Sequence, residues 1–169
     1  GLARRVHDPV AHAAGLARKV ALFNTALGGY GHFSIEHNRG HHRHVSTPDD
    51  PASAKMGESI YRFAMREMPG AWWRAWRLEA EQLRLRDKSP WHIDNEILQA
   101  GLLTSLLYGG LVVWFGWPMV PVLLGVALWG AFQLTSANYI EHYGLQRRRL
   151  QGGRFEPCQP HHSWNSNHI

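Results

Sequence analysis

Three histidines and one carboxylate lie close together near the start of the chain, in the run EHNRGHH at residues 36–42. His37 and His41 are four residues apart, so on an α-helix they would share one face, with His42 one position further round. Imidazole nitrogen is a ligand that suits iron, zinc, copper and nickel. Each imidazole ring has two nitrogens that need a partner, and three close rings on an ordinary basic surface loop would find such partners only by chance. The run therefore predicts a metal site at His37, His41 and His42.

A second Glu-His pair occurs about a hundred residues later, in the run NYIEHYG at residues 138–144. A carboxylate near a ligating histidine can accept the other ring N–H and so orient the ring, which makes Glu36 and Glu141 candidates for that role. A single histidine at a helix end is more often a partner of the helix dipole. The residues alone therefore leave open whether His142 is a ligand.

The last part of the chain contains a third group of polar residues, HHSWNSNH at residues 161–168. These side chains could bind metal, or could be polar loop residues packed beneath the site. The candidates for additional ligands, or for partners of the ligating rings, are His161, His162, Asn165, Asn167 and His168. The other histidines are scattered, and we expect them to be exposed or hydrogen-bonded.

Composition restricts the class of protein. The chain has 169 residues, a formal net charge of +5 and a single cysteine, Cys158. One cysteine excludes an internal disulfide framework and a thiolate zinc site, and it fits a reducing compartment. The sequence has no long run of like charge of the kind that predicts nucleic-acid binding. Because the chain starts at Gly1 and ends in a polar run, we expect it to be a segment of a longer protein.

The apolar residues are concentrated in one stretch, although the mean hydropathy of −0.33 is mildly polar. Residues 97–115 and 119–139 contain no charged side chain, and Gly116-Trp117-Pro118 separates them. As a helix the first run would be about 28 Å long, close to the roughly 30 Å thickness of a bilayer core. The pattern predicts a transmembrane hairpin, with Ser89-Pro90 as its helix start; a core hairpin of a large soluble protein is the alternative.

Tryptophans and arginines precede the hairpin. After a pause at Pro69-Gly70, residues 71–86 predict an amphipathic helix, either in the membrane interface or on the surface of a soluble protein.

Arginines flank the hairpin and are absent from its turn, so both ends are predicted to be cytoplasmic. We therefore divide the single partial domain 1–169 into a helix leading to the histidines (1–35), a cytoplasmic segment with an interfacial helix (36–96), the hairpin (97–139) and a second cytoplasmic segment (140–169).

Several long motifs resemble the integral-membrane alkane 1-monooxygenases, a family within the membrane fatty-acid desaturase-like superfamily. They are GHFSIEHNRGHH at 31–42, STPDDPA at 46–52, GESIYRF at 57–63, NYIEHYGL at 138–145 and HHSWNSNH at 161–168. The resemblance implies an all-α, polytopic helical membrane protein with two non-haem iron ions held mainly by histidines. His37, His41 and His42 match the second histidine box of the family, and His142 matches the histidine of its HYG motif. The first and third boxes of the family are absent from this sequence, so about half of the ligand set is expected here.

The resemblance also implies a function. The family hydroxylates the terminal methyl group of medium- or long-chain n-alkanes, using O2 and electrons from rubredoxin, which a reductase supplies from NADH. The expected location is the bacterial inner membrane, multi-pass, with the metal site facing the cytoplasm. A set of basic residues could attract an acidic electron donor, or could reflect only the cytoplasmic charge bias: Arg39, Arg43, Arg74, Arg77 and Arg147 to Arg149.

Two rival functions remain. A related membrane desaturase or xylene-type hydroxylase would share the short histidine boxes, but the long NYIEHYGL and HHSWNSNH runs favour an alkane hydroxylase. A non-catalytic membrane protein that stores or senses metal would also fit a hairpin with three histidines. Iron content together with O2-dependent activity would separate these rivals.

Overall fold

The computed structural model describes residues 19–20 and 23–164, and this part of the chain is mostly helical. Its three long helices are α1 (Ile60–Arg84), α2 (Glu96–Phe115) and α3 (Met119–His142). Within the described residues, β geometry is confined to one isolated antiparallel bridge between Arg149 and Phe155. Helix α1 packs against both α2 and α3. The predicted all-α fold with two long apolar helices is confirmed.

A short helical segment carries the first histidines, and we call residues 33–44 the histidine helix. It consists of an α-helical turn (Phe33–Ile35), a π-helix (Glu36–His41) and a second α-helical turn (His42–His44). The predicted helix over 1–35 is interrupted in the part that the structure describes, because the chain turns between residues 28 and 32. At this turn a Cβ on Gly31 would lie 2.2 Å from the Ala100 Cβ of α2. Only glycine therefore permits this close approach.

Helix α1 continues through Pro69 and Gly70, so the predicted pause is wrong. A proline in a helix interior removes one backbone hydrogen bond, but packing on both sides of it sustains the helix here. Several side chains of this helix are placed differently from what a soluble protein would show. Charged Glu67 and Arg74 are buried, whereas Trp73 is 55% exposed. Arg74, one of the basic residues expected to attract an electron donor, is therefore not available at the surface of this helix.

The predicted hairpin is present, with boundaries that differ slightly from the sequence-based ones. Helix α2 begins at Glu96, and the Asn95 side chain caps it by accepting hydrogen bonds from the N–H groups of Ile97 (2.9 Å) and Leu98 (3.3 Å). The expected start at Ser89-Pro90 is wrong, because Pro90 instead accepts a hydrogen bond from the Asn95 side chain.

Both helices of the hairpin are long and apolar enough to cross a membrane. Most of their side chains point away from the rest of the protein; Val113, for example, is 88% exposed. A core hairpin of a soluble protein would bury these side chains, so their exposure favours the membrane interpretation. Together with the motifs, the hairpin indicates a membrane protein.

Two loops bring distant parts of the chain to the end of α3. The backbone N–H of Gly144 donates to the Ala54 carbonyl (2.9 Å), and that of Arg147 donates to the Ser46 carbonyl (2.8 Å). The loop after the histidine helix therefore lies against the segment that follows α3. This arrangement places the two histidine-bearing regions side by side.

Candidate metal site

The π-helix determines how the first three histidines are oriented. In an α-helix, residues five apart point about 140° away from each other, so His37 and His42 would diverge. In a π-helix the hydrogen bond runs from i to i+5, which brings residues five apart towards one side. The Nε2 atoms of His37 and His42 accordingly lie 3.1 Å apart. Short π segments are frequent at functional sites, and here the segment allows three rings to converge.

His41 and His142 form a second pair across 101 residues of sequence, with 3.1 Å between their Nε2 atoms. The Nδ1–H of His142 donates to the His162 carbonyl (3.0 Å), and the Nδ1–H of His41 donates to the Asp50 carboxylate (2.9 Å). These partners place the proton of each neutral ring on Nδ1. Both Nε2 atoms then present lone pairs to each other, an unfavourable contact unless a cation lies between them.

The two pairs are adjacent and have the spacing of ligands on metal ions. The ring centroids of His37 and His41 lie 5.5 Å apart. Two nitrogens bound at about 2.1 Å in neighbouring positions of an octahedron lie about 3 Å apart, which matches both Nε2 separations. Burial, followed by the neighbouring rings of His42, His41 and His142, lowers the pKa of His37 to about 4. The Nδ1 of this ring is buried without a hydrogen-bond partner. The four rings therefore have the geometry of metal ligands, arranged as two adjacent pairs.

The two predicted carboxylates do not contact the ring nitrogens in the expected way. Glu36 is buried and forms an ion pair with Arg74. The Glu141 carboxylate lies 3.7 Å from the Nε2 of His142, which is too long for a hydrogen bond. The carboxylate that accepts an N–H from one of the four predicted ligands is Asp50, which the sequence did not single out as a site residue.

Asp50 is buried and accepts four hydrogen bonds. Burial alone would raise the pKa of its carboxyl group, but hydrogen bonds from His41 and Ser53 and the charge of Arg74 hold this pKa well below its usual range. The carboxylate is therefore ionised at neutral pH. The available sequence signal was the Asp49-Asp50 pair, seven and eight residues after His42, but only the fold shows that this loop returns to the site.

A third group, Glu156, His161 and His162, brings possible ligand atoms within 4.8 Å of one another. The Gln159 N–H donates to the His162 Nδ1 (2.9 Å), which leaves the proton of this neutral ring on Nε2, facing Glu156 at 3.3 Å. A ring with this tautomer is a hydrogen-bond donor to the carboxylate and not a ligand. His162 thus acts through its backbone carbonyl on His142, and His161 is exposed. The remaining candidates, Asn165, Asn167 and His168, lie outside the described residues.

Comparison with known proteins identifies the class. A family model described as "Fatty acid desaturase" matches residues 7–169, nearly the whole chain. The chain therefore belongs to the fatty acid desaturase family.

Within that family the chain is similar to alkane hydroxylases. It is 56% identical to both alkane 1-monooxygenase 1 of Alcanivorax borkumensis and alkane 1-monooxygenase of Ectopseudomonas oleovorans, over 153 residues. Each match covers 90% of this chain and 38% of the relative. A more distant relative, the hydroxylase component of a xylene/toluene monooxygenase from Pseudomonas putida, is 33% identical over 89% of this chain and 39% of that protein. The chain thus spans less than half the length of these curated relatives, and the resemblance seen in the motifs is confirmed.

Proposed function

We propose that this chain forms part of a non-haem di-iron monooxygenase that hydroxylates the terminal methyl group of n-alkanes to 1-alkanols, using O2 and electrons from rubredoxin. The observation that carries the proposal is the pair of 3.1 Å contacts between Nε2 atoms, His41 with His142 and His37 with His42. The similarity to alkane 1-monooxygenases over 90% of the chain supports the substrate class.

In this proposal His37, His41, His42 and His142 are ligands through Nε2. Bound iron would supply O2 activation, which no side chain of the protein can provide. The protein holds the Nδ1 protons of His41 and His142 on Asp50 and the His162 carbonyl, so that both Nε2 lone pairs stay directed at the site. Further ligands would come from segments that correspond to the parts of the longer relatives that this chain does not cover.

The position of the site suits a substrate dissolved in lipid. His142 is the last residue of α3, so the candidate site lies at one end of the apolar hairpin. An alkane in the bilayer could approach along the exposed apolar surface of α2 and α3, while O2 and electrons arrive from the aqueous side. The excess of arginine at this end supports an inner-membrane orientation with the site towards the cytoplasm.

The arginines beside the site divide into two groups. Arg39 forms an ion pair with Glu79 (2.7 Å), Arg74 is buried, and Arg147 donates to the Glu156 and Arg43 carbonyls (both 3.1 Å), so all three have structural partners. Arg148 and Arg149 remain exposed. In our proposal this exposed group, with Arg43, attracts an acidic electron donor such as rubredoxin.

Alanine substitution of the four histidines tests the proposal. In the full-length protein that carries this sequence, we expect His37→Ala, His41→Ala, His42→Ala and His142→Ala each to abolish octane hydroxylation and to lower bound iron, because each removes a ligand. Octanol formation and iron per chain are the measurements. His92→Ala is the matched control, since His92 lies in the loop before α2 and should leave both values unchanged.

The same experiment separates the rival functions. Alkenes in place of 1-octanol would indicate a desaturase, and turnover of xylene without octane would indicate an aromatic side-chain hydroxylase. Bound metal without O2-dependent turnover would indicate a storage or sensing protein. Wild-type turnover in any one of the four alanine variants would remove that residue from the ligand set.

A further inference from the structure

Asp50 connects the candidate metal site to the rest of the fold. Its Oδ2 atom accepts hydrogen bonds from the His41 Nδ1–H (2.9 Å) and the Ser53 hydroxyl (2.6 Å). Its Oδ1 atom accepts from the Arg74 Nη2 (2.7 Å) and the Ala52 N–H (3.2 Å). The side chain is completely buried. A carboxylate with both oxygens occupied in this way has little freedom to rotate, so it fixes the direction of the His41 ring.

Arg74 holds this carboxylate and a second one. Its Nη2 group also contacts the Glu36 carboxylate, and its Nη1 group donates to the Asp49 carbonyl (3.3 Å). The approach depends on Gly40 in the π-helix, because a Cβ there would lie 2.7 Å from the Arg74 Nε. Arg74 thus ties α1 to the histidine helix and to the loop that carries Asp50.

We propose that Asp50 and Arg74 are positioning residues of the metal site, which act through His41 by fixing its tautomer and ring orientation. This inference rests on the proposed function, because it takes His41 as a metal ligand. The Asp50 carboxylate accepts the His41 Nδ1–H and so leaves the Nε2 lone pair directed at the metal position shared with His142. Arg74 keeps Asp50 in the orientation that this hydrogen bond requires.

The consequence of an Asp50→Asn substitution follows from the donors around the side chain. Arg74 and the Ala52 N–H are donors only, so the amide oxygen must face them. The amide NH2 group then faces His41, which has to accept at Nδ1 and move its proton to Nε2. A ring protonated on Nε2 cannot ligate a metal through that atom. The substitution changes no ligand and almost no volume, but it selects the tautomer that does not bind.

The experiment compares Asp50→Asn with Asp49→Asn in the full-length protein. Asp49 is the neighbouring carboxylate, is exposed, and contacts Arg74 only through its backbone carbonyl, so it is a matched control. We expect Asp50→Asn to lower iron affinity about 10–100-fold at one of the two iron positions. Titration with ⁵⁷Fe should therefore give one tight and one weak site, and the Mössbauer signal of the retained iron should stay close to that of the wild type. Asp49→Asn should give two tight sites.

A second pair of variants guards against a general folding defect. Lysine lacks the planar guanidinium whose Nη2 contacts two carboxylates while its Nη1 contacts the Asp49 carbonyl, so Arg74→Lys should weaken the same iron position, whereas exposed Arg77→Lys should not. A general defect would weaken both iron positions together. Iron titrations of Asp50→Asn and Arg74→Lys that match their controls, or an equal loss at both positions, would overturn the inference and leave the proposed function intact. A wild-type protein that binds no iron would instead overturn the proposed function, and the inference with it.

Discussion

At the scale of single residues, hydrogen-bond partners determine which nitrogen of each histidine is free. His41 and His142 are both buried, and each donates its Nδ1–H to an oxygen atom of the protein. The His162 ring has the opposite tautomer because a backbone N–H donates to its Nδ1. The neighbours of these histidines therefore make His41 and His142 ligand candidates, whereas they make the His162 ring a hydrogen-bond donor.

Glu67 is a buried carboxyl group whose protonation should affect stability. It lies on α1 and accepts hydrogen bonds from Thr135 (2.7 Å) and Asn138 (3.4 Å) of α3. Burial raises its pKa despite the Thr135 hydrogen bond, so the folded state favours the neutral form. The stabilising contribution of that form is complete at pH values below the ordinary pKa of a glutamate, and it is lost as the pH rises through the raised pKa.

We expect Glu67→Gln to become more stable than the wild type as the pH increases, because glutamine stays neutral and can keep both hydrogen bonds. The measurement is the thermal unfolding midpoint in detergent across this pH range. Glu81→Gln, on the exposed face of the same helix, is the control and should follow the wild-type curve. Parallel curves for Glu67→Gln and the wild type would show that Glu67 is ionised in the folded protein.

At the scale of elements, the helix ends and the π-helix determine where the site forms. Helix α3 ends on His142, so the last turn of an apolar helix delivers a ligand candidate. The π-helix turns His42 towards His37, which a regular α-helix would not do. The start of α2 depends on Asn95, which is fully buried and caps two backbone N–H groups.

Removal of this cap should weaken the hairpin. We expect Asn95→Ala to lower stability by about 1 kcal/mol or more, because it leaves the N–H groups of Ile97 and Leu98 without their acceptor and the Pro90 carbonyl without its donor. Denaturant unfolding in detergent would measure the change. Ser59→Ala, which removes the longer 3.4 Å cap of α1, should cost less. An equal or larger effect of Ser59→Ala would contradict the importance given to the Asn95 cap.

At the scale of the whole molecule, charge and exposed apolar surface are segregated. Helix α1 buries three of its charged residues, Glu67, Arg74 and Glu79, and exposes Trp72 and Trp73, while α2 and α3 expose apolar side chains along their length. Such surfaces fit a lipid environment and leave the arginines near the site facing water. Because exposed arginines lie near the site, the proposed docking of an acidic electron donor can be tested by varying the salt concentration.

We expect the double variant Arg148→Gln with Arg149→Gln to lower kcat/KM for the electron donor at low ionic strength, because two positive charges leave the encounter surface. The difference from the wild type should shrink as salt screens the remaining charges. Initial rates at several donor and salt concentrations would measure it. Arg86→Gln, which is also exposed but lies in the turn after α1, should show little change. A salt-independent effect would argue for local damage.

Local patterns in the chain were sufficient for the helical hairpin, the histidine run and the family. Apolar runs as long as a bilayer is thick, and motifs such as EHNRGHH and NYIEHYGL, are contiguous, so their meaning does not depend on distant contacts. The same patterns were less accurate for α1, because they predicted a pause at Pro69-Gly70 and did not predict that Arg74 is buried. A helix that faces both lipid and a polar site does not follow the periodicity of a soluble surface helix.

Contacts between residues that are distant in the sequence could be identified only from the fold. His41 and His142 are 101 positions apart, and the Asp50 partner of His41 comes from the loop that follows the histidine helix. Residue types and spacing identify candidate ligands. They do not show which rings face each other or which nitrogen of each ring carries the proton. Those properties depend on distances of about 3 Å between separate segments, which packing of the loops against the ends of α1 and α3 brings about.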